Sequence, residues 1–427
     1  MTTTLPQMFR VRQLFDGPRV DDVPAETERQ LAALNLQGRI SPGQSVAVTC
    51  GSRGIANIHL VIKAIAAHLQ GIGAEPFVVP AMGSHGGGTA EGQRSVIASY
   101  GVTEAFVGCP IRSSMETVVV CDTVEGFPVH FDRNAYQADH VVVCNRVKPH
   151  TNFVGEIESG LMKMMLIGLG KHAGAKIYHR AILDFSFGQI VRSVGRQVLD
   201  QCSIVAGVAL VENSYDETAR IAAVGPEDFE EREKELLVLA RGWMPRLLLS
   251  EVDLLLIDKI GKNISGTGMD TNVIGRKFSD SKDGGEELAN VRRIVIRGLT
   301  PESHGNATGI GLADFCKTRL VEQMDVEATQ INCLTGGSPS GAKVPIHYET
   351  DRQLLEMALP TIGLTEPQDA KVQWIQDTLH LREVECSAAY LEEAQARDDL
   401  EILTELRDLP LDEAGNLPDW GAEPAMV

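Results

Sequence analysis

The chain lacks the features by which several common functions announce themselves. Its 427 residues carry 58 acidic side chains against 39 basic ones, a net charge of −19. A nucleic-acid surface needs a basic footprint and docking on anionic lipid needs basic clusters, so neither partner is expected. No uninterrupted apolar stretch reaches the roughly 18–20 residues that span a bilayer. The opening MTTTLPQMFRVRQ has no apolar centre of a secretory signal, so the expected location is cytoplasmic. The eight cysteines (50, 109, 121, 144, 202, 316, 333, 386) form no CxxC pair, which speaks against a zinc ribbon or a redox dithiol. Cys50, Cys121 and Cys144 each close an apolar run and read as small thiols at strand ends. Aromatics are only 5% of the chain, so an aliphatic core is expected. There is no GxxxxGK[ST] phosphate loop, no internal repeat and no low-complexity block.

What is present is a regular alternation. SVAVTC (45–50) is a β-branched run and predicts a strand. NIHLVIKAIAAHLQ (57–70) sets Ile58, Val61, Ile62, Ile65 and Leu69 at helical spacing, and Gly71 and Gly73 end it. EPFVVPAM (75–82) is the next strand, and Thr89 can cap a helix that runs to Gly101. Further strands are expected at 115–121, 139–144 and 203–213, and a short helix around 25–35. Strand and helix in turn mean a parallel sheet with helices on both faces. Length argues for two such α/β domains, divided as 1–245 and 246–427. A long helix is expected over 227–249. In the second domain, strands are expected at 251–261 and 291–299, and helices at 309–324, 352–359 and 390–406. The tail from Pro410 reads as irregular.

Ligands of parallel sheets bind beyond the carboxyl ends of the strands. Three loops begin there: GSRGI (51–55), GSHGGGT (83–89) and NRVKPHTN (145–152). They should bring Arg53, His85 and His150 to one edge, facing a cleft between the domains. The stretch 144–179 is rich in polar groups directly after a buried strand. His85 precedes three glycines that let a ligand approach the backbone, though it also fits a tight turn with an exposed ring. His150 follows Pro149, beside Lys148 and Arg146, which could attract a carboxylate or simply face water. Lys163 stands alone among Leu161, Met162, Met164 and Met165, as a snorkelling side chain or as a reactive amine. His179 is a helix-surface histidine or a metal ligand. IGLGKHAGA (167–175) comes within one residue of a dinucleotide-binding turn.

Taken together these residues resemble the nickel-dependent lactate racemase family and its wider set of 2-hydroxyacid racemases and epimerases. The shared pieces are His85 with Thr89-Ala90-Glu91, the pair Pro149-His150, Lys163, a histidine sixteen residues on at His179, and Ser52-Arg53 after the first strand. The resemblance covers most of the first 215 residues. In the second domain it rests on MDTN (269–272).

The resemblance implies a nickel-pincer nucleotide, pyridinium-3,5-bisthiocarboxylic acid mononucleotide nickel, as cofactor. It implies Lys163 as the residue that joins it through a thioamide and His179 as the protein's nickel ligand. His85 and His150 would flank a small 2-hydroxyacid as acid and base while hydride leaves its α-carbon, and Arg53 would hold the carboxylate. Arg276 and Lys277 would add charge from the second domain, and the enzymes that build the cofactor are the implied partners. Cys50 stands where the lactate enzymes have an aspartate, the lysine segment is the longer GEIESGLMKMM, and the 264–278 loop has no tyrosine. These departures point to a 2-hydroxyacid other than lactate. The competing readings are a nicotinamide-dependent dehydrogenase using 168–174, and a non-catalytic α/β ligand-binding protein.

Overall fold

The fold is that of a computed structural model that describes residues 3–52, 54–182, 184–278 and 289–421. The chain is α/β and forms two compact units. One is continuous, from Gly17 to Met244. The other combines the residues up to Asp16 with those from Pro245 onward.

In the continuous unit the strands are β2 (Ser45–Cys50), β3 (Glu75–Pro80), β6 (His140–Arg146), β7 (Ile204–Glu212) and β8 (Thr218–Val224). They lie in the order β3-β2-β6-β7-β8, with the first four parallel and β8 antiparallel at the edge. Period-two alternation divides each strand between two cores. Ala47, Phe77, Val79, Val141 and Val143 face one. Val46, Val48, Val78, Val142 and Cys144 face the other. The second core is closed by the helix Ile58–Gly71, whose Ile58, Val61, Ile62, Ile65 and Leu69 are the residues its spacing singles out. The first is closed by the helices Phe187–Gln201 and Phe229–Trp243. At about 25 cal/mol per Å² of apolar surface, each fully buried aliphatic side chain in these layers contributes roughly 1.5–3 kcal/mol.

Chain order reverses between β2 and β6: from β2 the chain steps outward to β3, and later returns on the other side of β2. That reversal is where parallel sheets form their crevice. The strand expected at 115–121 forms as β4 (Thr117–Asp122) but lies outside this sheet. It pairs antiparallel with β5 (Pro128–Asp132) as a separate ribbon.

The second unit contains, among the described residues, β1 (Met8–Gln13), β9 (Glu251–Ile260), β10 (Asn290–Leu299), β11 (Phe315–Lys317), β12 (Ile346–Tyr348), β13 (Val372–Ile375), β14 (Glu383–Ser387) and β15 (Leu400–Ile402). Their order is β12-β11-β10-β9-β13-β14-β1-β15. β1 sits between β14 and β15, antiparallel to both.

Several expected helices are shorter or different. The 309–324 stretch contains strand β11 and only then a helix, Thr318–Gln323, because Phe315 and Cys316 pair with Val295 and Ile296 of β10. The 390–406 stretch gives the helix Leu391–Gln395 and then β15, whose Ile402 pairs with Val11. The helix expected to reach 249 ends at Trp243, two residues before Pro245.

Candidate active site

The loops after β2, β3 and β6 leave the same edge of the sheet, since those three strands are parallel neighbours. His85 begins a turn in which Gly86, Gly87 and Gly88 all take left-handed φ, at 65°, 67° and 64°. Thr89 then caps the helix Ala90–Ser99, accepting from the Gly92 N–H at 3.1 Å. The His85 Nδ1 lies 2.6 Å from the Ser52 hydroxyl of the neighbouring loop. A hydroxyl can donate or accept, so Ser52 satisfies either tautomer of His85.

His150 is held differently. Its Nδ1 accepts from the backbone N–H groups of Asn152 and Phe153, at 3.0 and 3.2 Å. An Nδ1 that accepts carries no proton, so the neutral ring presents Nε2–H. The ring stacks on Phe153, with centroids 4.3 Å apart and planes 8° from parallel, and Phe153 stacks in turn on Phe187. Glu158, only 3% exposed, closes this loop. Its oxygens accept from the N–H of His150 at 2.7 Å and of Gly155 at 3.0 Å, and its charge meets Arg241 at 2.6 Å. The segment GEIESGLMKMM therefore supplies the carboxylate that shapes the His150 turn.

Lys163 reaches the same aromatic stack. Its Nζ lies 5.8 Å from the Phe153 ring centroid and 5.9 Å from that of Phe187, within cation–π range. It ends the short helix Leu161–Lys163, and the following residues Met164–Gly168 are π-helical. Such bulges carry an extra residue per turn and are frequent at functional sites. Met162 donates its N–H to Glu233 at 3.0 Å. Glu233 is 1% exposed and its Oε1 has no hydrogen-bond partner. Burial pushes its carboxyl up to about 8, against the pull of the Met162 and Leu161 amides.

His150 and Lys163 are thus brought together at one pair of phenyl rings. His85 stands on the loop after β3, with the β2 loop between it and the His150 loop. His179 lies on the helix Lys171–Ala181, half-buried, on the same face as His172 two turns earlier (i, i+7). His172 in turn borders the glycine turn, since a Cβ on Gly88 would sit 3.8 Å from its Nδ1. Arg146 is engaged with Glu212 in the fold. Arg276 is committed to its own unit: its guanidinium binds the Leu312 carbonyl and Asp314, both at 2.8 Å, and the carbonyls of Val291 and Arg292. Lys277 points its amine toward Asn272, 3.4 Å away. Arg53 lies outside the described residues.

The turn at 167–175 does not have the form of a dinucleotide loop. It follows a π-helical segment rather than a strand. Its glycines are covered by protein: a Cβ on Gly168 would meet the Ala81 carbonyl at 2.9 Å, and one on Gly174 would meet Tyr178 at 2.9 Å. They permit close packing and leave no open backbone for a pyrophosphate.

Sequence reasoning passed over Phe153, Phe187 and Glu233. A signal for Glu233 existed: it occupies the apolar stripe of its helix, between Phe229 and Leu236–Leu237.

No family model matches the chain, and no curated protein matches its sequence. Among solved structures, it is similar to a protein from Thermotoga maritima determined by a structural genomics consortium. That match has a TM-score of 0.50 at 12% identity and covers 77% of this chain and 83% of the other. The two share a fold. It is also similar to the lactate racemase apoprotein from Thermoanaerobacterium thermosaccharolyticum, with a TM-score of 0.46 at 14% identity over 87% of this chain and 88% of that one.

Proposed function

We propose that the chain is an isomerase, a racemase or epimerase of a small 2-hydroxyacid that works by reversible hydride transfer with a nickel-pincer nucleotide. The observation that carries this reading is the shared aromatic platform. Lys163 and His150, both of which the sequence resemblance singles out, meet at Phe153 and Phe187, on the sheet edge that also carries the His85 loop.

The residues fit the cofactor. Lys163 offers a half-buried amine beside the Phe153 and Phe187 rings, where it could form the covalent link to the organic group. Among the described residues no group of three histidine, cysteine or acidic side chains could hold a metal by themselves. On this reading His179 would be the protein's ligand to a metal whose other donors arrive with the organic group. When bound, that group would supply the hydride acceptor.

The chain's own part is proton handling and orientation. His85 can take the substrate hydroxyl proton at Nε2 in the tautomer whose Nδ1–H donates to the Ser52 hydroxyl. His150 presents Nε2–H to the substrate oxygen in its other orientation, and its ring plane is set by Phe153. Arg53 remains our choice for the carboxylate, as a bidentate cation.

The test is protein co-expressed with cofactor-making enzymes, examined by intact mass and nickel content and screened for racemisation of 2-hydroxyacids. A mass increase localised to Lys163 together with inversion of at least one 2-hydroxyacid is expected. Protein without adduct, nickel or inversion would overturn the proposal.

A further inference from the structure

The stretch 167–175 contributes Lys171 to a fully buried ion pair with Asp132 of β5. Lys171 and Asp132 are both 0% exposed and lie 3.1 Å apart, Nζ to Oδ2. The Lys171 ammonium meets Asp132 Oδ2 chiefly through charge, with a hydrogen bond as the smaller part. The Lys171 amine also donates to the Pro80 carbonyl at the end of β3 and to Gln93 Oε1 at 3.2 Å. Gln93 is itself 0% exposed. Its amide nitrogen donates to the Gly83 carbonyl at 2.8 Å and to the carbonyl of His85 at 3.3 Å. Lys171 adopts φ 54°, the left-handed region that a non-glycine residue rarely takes, at the first position of the helix that carries His179.

Charges this deep cost several kcal/mol unless they are paired, and an apolar filling is often as stable or more so. A strained φ adds to that cost. The arrangement is therefore a poor way to gain stability and a good way to fix geometry. Burial draws the Lys171 amine down and pushes the Asp132 carboxyl up, and each charge opposes the shift of the other. Asp132 is further anchored as the cap of the helix Arg133–Tyr136, accepting from Ala135 N–H at 2.9 Å. The chain of contacts thus runs from β5, through the start of the His179 helix, to the backbone of His85.

We propose that Asp132, Lys171 and Gln93 are positioning residues that lock the His85 turn to the base of the helix bearing His179. The catalytic meaning of His85 rests on the racemase reading; the lock itself does not.

The decisive variant is Gln93→Leu, which removes the link to His85 while leaving Lys171 its Pro80 and Asp132 partners. Histidine ring NMR on the protein without cofactor reads the lock directly. The His85 ring signals and titration midpoint are expected to move, while those of His68 and His140, which bond elsewhere, stay in place. In loaded enzyme kcat is expected to fall about 10- to 100-fold, as for a catalytic group displaced by a fraction of an ångström to one ångström, with KM within about twofold. Gln93→Glu keeps the acceptor for Lys171 and loses the donor to His85. It should reproduce both effects, and it serves if the leucine variant does not fold. A folded variant with wild-type His85 signals overturns the proposal whatever its activity. Moved signals in a protein that racemises nothing would leave the lock standing and remove the racemase reading.

Discussion

His150 lies flat on Phe153, and the same residue's backbone N–H points at the His150 Nδ1. One residue therefore sets both the plane of the ring and the place of its proton. For His150 to act as a base at Nε2, the ring would have to release the Asn152 and Phe153 amides. His85 has no such restriction, because Ser52 follows either tautomer. The two histidines should then differ in what they tolerate. His150→Gln retains an N–H donor and is expected to keep more activity than His150→Ala. Both His85→Gln and His85→Ala are expected to lose about 10²–10⁴-fold in kcat. Steady-state rates in both directions of the inversion check this.

The buried Glu233 makes stability depend on pH in a defined sense. Its native carboxyl is raised to about 8 by burial, against an ordinary value of 4.5. Between those values the native state holds a proton that the unfolded state has lost. Stability from this group is therefore full below about 4.5 and declines as pH rises toward 8. Glu233→Gln removes the titration. The variant should gain on the wild type from pH 5 to pH 8, by at most about 3.5 kcal/mol. Urea melts at the two pH values measure it, and a constant difference would refute the assignment.

The His85 turn depends on a glycine that sequence inspection passes over. A Cβ on Gly92 would overlap the Gly86 carbonyl oxygen. Gly92→Ala should therefore displace the turn, costing about 1–3 kcal/mol and most of the activity. Gly242→Ala is the control. Its position is helical and exposed with nothing within 4 Å of a new Cβ, so it should be neutral or stabilising by up to about 1 kcal/mol.

The thiols should be inert in the native protein. Burial pushes Cys50 up to about 12, and Cys109, Cys144, Cys202, Cys316 and Cys386 likewise upward. Cys121 is the thiol with partial exposure. Aromatic disulfide reagents at pH 8 are expected to titrate about one thiol before unfolding and eight after it.

The N-terminal α/β layers were legible because two signals agreed there. β-branched runs marked β2, β3 and β6, and the spacing of Ile58 to Leu69 marked the helix between the first two. That parallel order alone put the loops of His85 and His150 on one edge. The shorter elements were not legible, because their state is decided by a partner distant in sequence. Phe315–Lys317 looks like the start of a helix until β10 lies beside it, and Leu400–Ile402 until β1 does. The same limit hid the platform beneath Lys163. Nothing local in Phe187 says that it will meet Phe153, and nothing local in Gln93 says that it will hold His85.

The position of β1 bears on how the molecule can be made. Met8 pairs with Ser387, and Val11 with Val384 on one side and Ile402 on the other. β1 must therefore remain unpaired until β14 and β15 have been synthesised, while everything from Gly17 to Met244 can fold in the interval. An exposed, waiting strand is open to mispairing with another chain. Cutting the gene at 245 yields a downstream fragment in which β14 and the edge strand β15 have lost the strand between them, whereas a permutant that moves residues 3–16 to follow β15 would restore it in a single piece.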